Sequence, residues 1–542
     1  MSWKIINTDK YSEIMKKYNV SSLSAKVFLA NNTSDQDIKN ILNPHLVYND
    51  YDEFKDANKI VARINKAITT NEKTCVYGDY DCDGILATSI LVKALKMRGL
   101  DAKFHIPSRT DDGYGLNVKR VIQMYEKGYT LIITVDNGVK AFEAIDKANE
   151  LGMDVIVTDH HDFDKLPNAY AILHAKLNPD YPCQSISGGF TAYKLASKLL
   201  GKHDKYLYSL AAITTISDMM PLIDENRSLV LNGLKFMNEN HFRTIDLIAD
   251  TNSSYNTTTI GFNIAPKINS FGRLSNEASP NKLVLFFMGE MNESYNIEVG
   301  AFAKKLNEKR KYLTTKAYDQ AMADYHEEDD FLFVANQNIA EGLVGLVAGK
   351  FTSSYNRPSF VMLKDTDSNT YHGSARGVDN ARIPDIFNYC KDDLIQYGGH
   401  SYAGGFSLES EKIESFKNNI TSFLDSINFK VEENMYQGIL VEDKELSLTN
   451  IKDLSKLEPF GNGNDEPLFI LKDQIIANLT PLSNGKHLKI MTRSNQTILM
   501  FNVKELDKYK INNKIDIIFK VSINNFMNKE SVNLIGEEVE FN

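Results

Sequence analysis

From residue 54 to residue 160 the chain alternates between two hydrophobic patterns. Apolar residues recur at helical spacing from Phe54 to Ala67, and Thr74-Cys75-Val76-Tyr77 then forms the short continuous run that a buried strand makes. A helical pattern follows from Ile85 to Met97, then a strand at Ala102 to Ile106 and a helix at Val118 to Glu126. Leu131-Ile132-Ile133-Thr134-Val135 predicts the next strand, Ala141 to Leu151 a helix, and Asp154-Val155-Ile156-Val157-Thr158 a further strand. Strands that are continuous apolar runs and alternate with helices predict a parallel sheet covered on both faces. The apolar segment Leu210 to Ile216 reads as one more strand. Residues 226 to about 290 read as mostly helical, and a second lobe begins near Phe331-Leu332-Phe333-Val334. From about residue 430, short alternating segments at Gly438 to Val441, Leu468 to Leu471, His487 to Met491 and Thr497 to Phe501 predict a small antiparallel barrel. Residues 1 to about 50 are mixed, with a helix around Ser34 to Leu42 ended by Asn43-Pro44, and read as an arm laid on the first domain.

In parallel sheets of this kind ligands bind beyond the carboxyl ends of the strands. The first strand exit carries Asp79, Asp81 and Asp83, the third Asp136-Asn137-Gly138, the fourth Asp159-His160-His161, and the segment ending at Ile216 leads into Ser217-Asp218. One aspartate after a strand is an ordinary helix cap. Aspartates at four exits, one followed by a histidine pair, exceed what capping explains. Oxygen ligands with one or two imidazoles and no thiolate cluster suit Mn²⁺ or Mg²⁺. Five or six such ligands fit two ions, the pair that clamps the attacking and leaving oxygens of a phosphoryl transfer. Hydrolysis of a phosphodiester or phosphomonoester is the expected reaction class.

Composition narrows the setting. At 542 residues the chain predicts about three or four domains, and 42% hydrophobic with 24% charged residues argues against extensive disorder. No apolar run is long enough to span a bilayer, and Met1-Ser2-Trp3-Lys4 lacks the features of a signal peptide, so a cytoplasmic protein without a membrane partner is expected. Cys75, Cys82, Cys183 and Cys390 form no CxxC pair and read as reduced thiols. A net charge of −10 removes bulk polycation attraction, so nucleic-acid binding has to rest on a local basic groove.

The acidic loop, Val135-Asp136-Asn137-Gly138 and Asp159-His160-His161 resemble successive motifs of the DHH phosphoesterase family. Further stretches resemble its branch of single-strand-specific exonucleases: His105 to Arg109 with Gly113 to Leu116, Ala265 to Asn269 with Gly272-Arg273-Leu274, and Gly373-Ser374-Ala375-Arg376. Gly398-Gly399-His400 with Ala403-Gly404-Gly405, and Leu457 to Gly461 with Gly463-Asn464, extend it to about residue 490.

This resemblance implies an α/β architecture. Its parts are an N-terminal arm (1–50), a parallel-sheet DHH catalytic domain with a helical extension (51–290), a connecting helix (291–325), a second α/β, DHH-associated domain (326–428) and a C-terminal OB-like barrel (429–542). It implies metal ligation by Asp81, Asp83, Asp136, His160, His161 and Asp218, with Asp79 and Asp159 as catalytic-site residues that support the ligands. Arg109, Tyr114, Arg273, Ser374, Arg376, Gly399 and His400 are the implied nucleic-acid contacts, the last four on turns that face the metal rim. The basic run Lys304, Lys305, Lys309, Arg310 and Lys311 then falls on the connection between the lobes, although such a run is most often a solvated helix face. Lys486, Lys489 and Arg493 with Phe501 pair charge with a stacking ring on the barrel.

The expectation that follows is a two-metal, 5′→3′ exonuclease on single-stranded DNA, acting in DNA repair and recombination, with a single-strand-binding protein and a helicase as partners. A DHH-type phosphoesterase of short oligonucleotides or nucleotides is the alternative, and a non-catalytic nucleic-acid-binding scaffold is the other. Members of the branch commonly carry a Trp-His pair before the glycine-containing segment, where this chain has Asn338-Ile339-Ala340-Glu341. The chain stops soon after the barrel, so the additional C-terminal domain of some members is expected to be absent. Oligomeric state stays open.

Overall fold

The computed structural model describes residues 3–44, 47–108, 115–251, 254–323, 325–326, 328–335, 339–365, 368–432, 435–503, 505–526 and 529–542. The chain divides into two compact units, one of Tyr48–Met220 with Leu229–Glu433, the other of Met1–Val47, Pro221–Ser228 and Asn434–Asn542.

The larger unit opens on a sheet of β1 (Thr74–Tyr77), β2 (Lys103–His105), β3 (Leu131–Val135), β4 (Asp154–Thr158) and β5 (Ala171–Leu173). They lie in the order β2-β1-β3-β4-β5, and every pairing is parallel. Alternate strand residues face opposite cores. Val76, Ile133, Val135 and Ile156 join the core around helix α1 (Cys82–Met97). Tyr77, Ile132, Val155 and Val157 join a second core with α2 (Val118–Glu126) and α3 (Phe142–Glu150). Burial on both faces is why these strands read as unbroken apolar runs.

Helices α4 (Gly188–Leu200) and α5 (Lys205–Ser217) pack on the α1 side. The segment Leu210 to Ile216, expected as a strand, therefore lies inside α5. Leu207 through Thr215 are all buried, so the helix lacks the polar stripe that marks helical periodicity. Helix α6 (Ala265–Arg273) follows a single π turn at Ile260–Ile264, and α7 (Glu293–Met322) runs for 30 residues to the second half of the unit.

That half is a second sheet of β6 (Leu332–Ala335), β7 (Ser359–Lys364), β8 (Thr370–Arg376), β9 (Gln396–His400) and β10 (Ala403–Glu409), with α8 (Val344–Tyr355) between β6 and β7. The order is β9-β10-β8-β7-β6, with β6 and β7 parallel and the remaining pairs antiparallel. Ser374, Arg376, Gly399 and His400 consequently sit on strands, not on the turns expected. Ser374 and Arg376, two apart on β8, are thereby held on one face of the sheet.

The smaller unit holds the barrel. Strands β11 (Tyr436–Leu440), β12 (Phe469–Leu482), β13 (His487–Thr492), β14 (Thr497–Met500), β15 (Lys514–Phe526) and β16 (Lys529–Phe541) form it. The sequence β12-β13-β14-β16-β15 closes on itself through β12 and β15. It is not wholly antiparallel: β14 and β16 pair in parallel, and β11, outside the closure, joins β12 in parallel as well.

The N-terminal arm belongs to this unit and not to the catalytic domain, contrary to its expected place. Trp3–Ile6 pairs in parallel with β11. Leu23, Val27, Phe28 and Ile38 share a core with Ile439, Leu471 and Ile517, and Lys26 Nζ reaches Glu445 Oε2 at 2.7 Å in a nearly dry contact. Ile451, Leu454 and Leu457 of the same unit join this core and help supply the apolar cover the arm's helices need, and no local pattern marks a pairing between strands more than four hundred residues apart.

Candidate metal centre

The exits of β1, β3 and β4 and the end of α5 converge on one rim. Asp81 is the N-cap of α1, its carboxylate accepting from the Gly84 N–H at 3.0 Å. Asp83, in the first turn, accepts from Gly188 N–H at 2.8 Å and Gly189 N–H at 2.7 Å, the unpaired donors that open α4. Asp136 leaves β3 with φ +62°, and a side-chain carbon at Gly188 would lie 2.5 Å from its Oδ1. Glycine at 188 is thus what lets α4 approach this carboxylate.

Asp159 lies behind the histidines. It accepts from the N–H groups of Val139, His160 and His161 at 3.0, 2.7 and 3.2 Å, and its Oδ1 is 2.8 Å from His161 Nδ1. With Nδ1–H donating to Asp159, the Nε2 of His161 is left for a ligand. His174 adds a further brace: its Nδ1 accepts from Lys176 N–H at 3.1 Å, so its Nε2–H donates to the His161 carbonyl at 2.9 Å.

Three overlapping sets have ligand atoms within 4.8 Å of one another: Asp79 with Asp81 and Asp136, Asp136 with His160 and His161, and Asp83 with His160 and Asp218. Asp136 and His160 each belong to two sets, the arrangement expected where neighbouring cations share ligands. Asp79 stands among these sets and not behind them, closer to the centre than a purely supporting role requires. The donor set fits hard divalent cations, since Asp136 Oδ1 and Asp218 Oδ2 are buried with no hydrogen-bond partner among the described residues. Cys82 lies between Asp81 and Asp83, buried, and its backbone N–H donates to Asn269 Oδ1 at 2.8 Å.

Charge crowding is visible in the protonation of the site. Burial, with the charge of Asp81 beside it, pushes Asp83 up to about 7, and burial with Asp83 and Asp81 pushes Asp218 up to about 8. Asp136 is raised well above the usual carboxylate range by burial and by Asp83, Asp81 and Asp79. Burial holds His160 down to about 3, keeping its imidazole neutral, the form that ligates. For Asp159 and His161, burial is the largest influence and opposes ionisation, but their mutual hydrogen bond and the charges around them together outweigh it, leaving Asp159 at about 2 and His161 at about 9.

A cleft of about 860 Å³ separates this rim from the second sheet. Ser374, Arg376 and Gly399 line it, facing His161 and Asp159. Arg376 Nη1 donates to Ser374 Oγ at 2.8 Å and to the Ala375 carbonyl at 2.9 Å, and among the described residues no carboxylate pairs with it. Gly345 makes room for the guanidinium, since a side-chain carbon there would lie 2.9 Å from Nη2. Burial alone lowers the pKa of Arg376, so desolvation works against its positive charge and an anion placed beside it would support that charge.

His400 ends β9, exposed, and its charge helps hold Asp162 low after the dominant Lys176 hydrogen bond. Arg273 is at the end of α6 outside the cleft lining, with Nη1 3.3 Å from the Gly342 carbonyl. Arg109 and Tyr114 lie outside the described residues. The cleft also holds residues that the sequence pattern does not single out, Tyr80, Lys140 and His372 among them. Tyr80 sits within the acidic loop and Lys140 two residues past Gly138, so inspection of whole strand exits finds both.

The pattern of the DHH family, N-terminal domain, matches residues 73–217, and that of the RecJ OB domain matches residues 439–538. The single-stranded-DNA-specific exonuclease RecJ of Bacillus subtilis is 31% identical over 502 residues, covering 89% of this chain and 63% of its own length. The RecJ of Haemophilus influenzae is 26% identical over 93% of both chains. This chain therefore spans slightly less than two thirds of the Bacillus relative and nearly all of the Haemophilus one. Among solved structures, RecJ from Thermus thermophilus in complex with Mn²⁺ superposes with a TM-score of 0.86 at 23% identity, covering 99% of this chain and 79% of that one. An exonuclease RecJ bound to manganese superposes with a TM-score of 0.61 at 26% identity, covering 70% of this chain and 96% of its own.

Proposed function

We propose that the chain belongs to the RecJ branch of the DHH phosphoesterases and is a metal-dependent exonuclease hydrolysing single-stranded DNA in the 5′→3′ direction, in DNA repair and recombination. One observation carries the reading: seven carboxylate and imidazole side chains from separate elements converge in overlapping sets beside a cleft lined by Arg376, which has no carboxylate partner among the described residues.

Asp81, Asp83, Asp136, His160, His161 and Asp218 would hold two divalent cations, Mn²⁺ or Mg²⁺, in keeping with the manganese of the 26%-identical exonuclease structure. Such a pair, when bound, supplies an activated water and neutralises charge on the scissile phosphate. The chain's own residues do the rest. Asp159 fixes the ring of His161, Asp83 is held by the start of α4, and Asp79 adds a carboxylate to the set around Asp136. Arg376 and Ser374 grip a substrate phosphate from the opposite wall, with Gly399 on the same cleft and His400 across Ala403 from Arg376 in the sheet. In this reading Arg109, Tyr114 and Arg273 serve the 5′ end, and the barrel of residues 429–542 binds the strand beyond the catalytic unit. The catalytic domain is taken as 51–290, the connecting helix as 291–325 and the substrate domain as 326–428.

A substrate restricted to single strands requires a partner that opens duplex and one that keeps the strand open, so a helicase and a single-strand-binding protein are the partners this activity calls for. Four free thiols fit the reducing cytoplasm in which that DNA lies. Among the described residues no helix is long and apolar enough to cross a membrane.

The test is digestion of one single strand labelled at either end, with Mn²⁺, against its duplex and a dinucleotide as competitors. Early release of the 5′ label, abolished by chelator, is expected. Preferred hydrolysis of the dinucleotide would favour the short-substrate phosphoesterase, and loss of the 3′ label first would overturn the polarity.

A further inference from the structure

We propose that Arg227 is a positioning residue for the metal centre: resting on the two-cation reading above, it anchors the chain just after Asp218 to residues 456–464, and this anchor sets the affinity of one cation position and not of the other.

Three carboxylates of the rim are held through their own oxygens. Asp81 accepts from Gly84, Asp83 from Gly188 and Gly189, and Asp159 from three backbone donors. Asp218 differs. Its Oδ2 is buried with no hydrogen-bond partner among the described residues, so the backbone at the end of α5 sets its place. That backbone turns sharply. Met219 N–H donates to the Ile216 carbonyl at 3.2 Å and Met220 N–H to the Thr215 carbonyl at 3.0 Å, the pair of bonds that closes a helix through a left-handed residue. The left-handed residue is Met219, at φ +52°, where glycine would sit without strain. Its side chain is 71% exposed, so packing of that side chain does not hold the turn. A residue other than glycine stays in this region only when its surroundings fix it.

The chain that follows supplies the restraint. Pro221–Ser228 belongs to the smaller unit and begins three residues after Asp218. Leu222 N–H donates to the Asn462 carbonyl at 2.7 Å, and its buried side chain packs on Gly461, where a side-chain carbon would lie 2.8 Å from Leu222 Cδ1. Arg227, in the first turn of the helix Asp224–Asn240, grips the same stretch. Its Nη1 donates to the Leu457 carbonyl at 3.0 Å, and its Nη2 to those of Glu458 at 2.6 Å and Lys456 at 3.4 Å. Among the described residues no carboxylate pairs with it, so the planar fork serves main-chain carbonyls alone. Asn464 Nδ2 ties that stretch to itself, donating to the Leu457 and Pro459 carbonyls at 2.9 and 2.8 Å.

Helix α5 before it and the gripped segment after it leave Asp218 little freedom. Asp218 belongs to one ligand set, with Asp83 and His160, while the sets of Asp79, Asp81 and Asp136 and of Asp136, His160 and His161 do without it. Loosening the anchor should therefore weaken one cation position selectively.

Calorimetric titration of the full chain with Mn²⁺ tests this. In Arg227→Ala the affinity for one of two Mn²⁺ should fall about tenfold or more while the other holds, as for partners that orient metal ligands. On a pentanucleotide kcat should fall with KM unchanged, and excess Mn²⁺ should restore it. Arg227→Lys should recover part of the loss. Gly461→Ala, which pushes on Leu222 with Arg227 intact, should weaken the same Mn²⁺, and it decides the matter if Arg227→Ala does not fold. A merely structural arginine would lower the melting temperature and leave both affinities of the folded chain as they are; that outcome, or equal weakening of both positions, overturns the inference. Selective loss of one Mn²⁺ in a chain that does not cleave single strands refutes the exonuclease reading and leaves the positioning role standing. A natural chain that binds fewer than two Mn²⁺ refutes both.

Discussion

His160 Nε2 lies 3.0 Å from Asp136 Oδ1, a buried oxygen with no hydrogen-bonded donor among the described residues. Asp136 is also the residue that joins the set around Asp79 and Asp81 to the set around His161. Removing it should therefore disturb both cation positions at once. Asp136→Ala is expected to lower hydrolysis by more than about a hundredfold while the fold persists, given that even the partners of metal ligands cost 10–100-fold. Turnover with Mn²⁺ and metal stoichiometry by calorimetry check it; retained activity with two bound ions would remove Asp136 from the centre.

Asp159 acts one step further back. Its hydrogen bond to His161 Nδ1 sets the tautomer and ring angle, and three backbone donors hold it in place. Asp159→Asn keeps an acceptor oxygen but loses the charge that supports His161. Mn²⁺ affinity should fall by about 10–100-fold with little change in fold. Unaltered affinity would show that His161 needs no such support.

Protonation of the rim predicts a pH dependence with a definite sign. Burial and neighbouring charge raise Asp83 from 3.8 to about 7 and Asp218 from 3.8 to about 8 in the folded chain. Between those limits the native state binds more protons than the unfolded one, so this contribution to stability is fully present below pH 4 and is lost as pH rises through 7 to 8. In chelator the melting temperature should fall across that window. Added Mn²⁺, which takes the deprotonated carboxylates, should then give a thermal shift that grows with pH. Scanning fluorimetry from pH 5 to 8.5 decides the matter, and a pH-independent shift would contradict it.

Arg376 offers a test of the opposite wall. A charged hydrogen bond to a phosphate is worth about 1.5–3 kcal/mol, or roughly 10–150-fold in kcat/KM. Arg376→Ala should lose that amount on 5′-phosphorylated strands. Arg376→Lys should recover only part, because the planar fork beside Ser374 is gone. Full recovery by lysine would reduce the role of Arg376 to a point charge.

Where sequence and structure agree, the reason is local. Leu131–Val135 and Asp154–Thr158 announce themselves because strands buried on both faces carry no polar interruption, and the aspartates that follow them share a rim because parallel strands end together. Asp218 reaches the same rim from a helix that reads as a strand, since a helix buried all round has lost its stripe. His174 leaves no trace in the pattern. A single histidine after an apolar run means nothing until the His161 carbonyl is found 2.9 Å away. The arm's true partner is equally hidden, because its apolar helices show that they need cover but not which surface provides it.

That placement bears on how the barrel's role is measured. Truncation after residue 430 would strip cover from Leu23, Val27, Phe28 and Ile38 and leave Lys26 without Glu445, so lost activity would report misfolding as much as lost DNA contacts. Point changes on the barrel avoid this. Lys486 and Lys489 flank the start of β13, and Phe501 is exposed beside His487, with ring centroids 5.1 Å apart. If both lysines touch phosphates, Lys486→Ala with Lys489→Ala should reduce the salt slope of binding to a long single strand by about 1.4, at roughly 0.7 per phosphate contact. Phe501→Ala should cost about 1–3 kcal/mol if a base stacks on the ring. Hydrolysis of a dinucleotide, short enough for the catalytic unit to hold by itself, should change far less. Equal losses on long and short substrates would make the barrel a structural support for the arm and not a path for the strand.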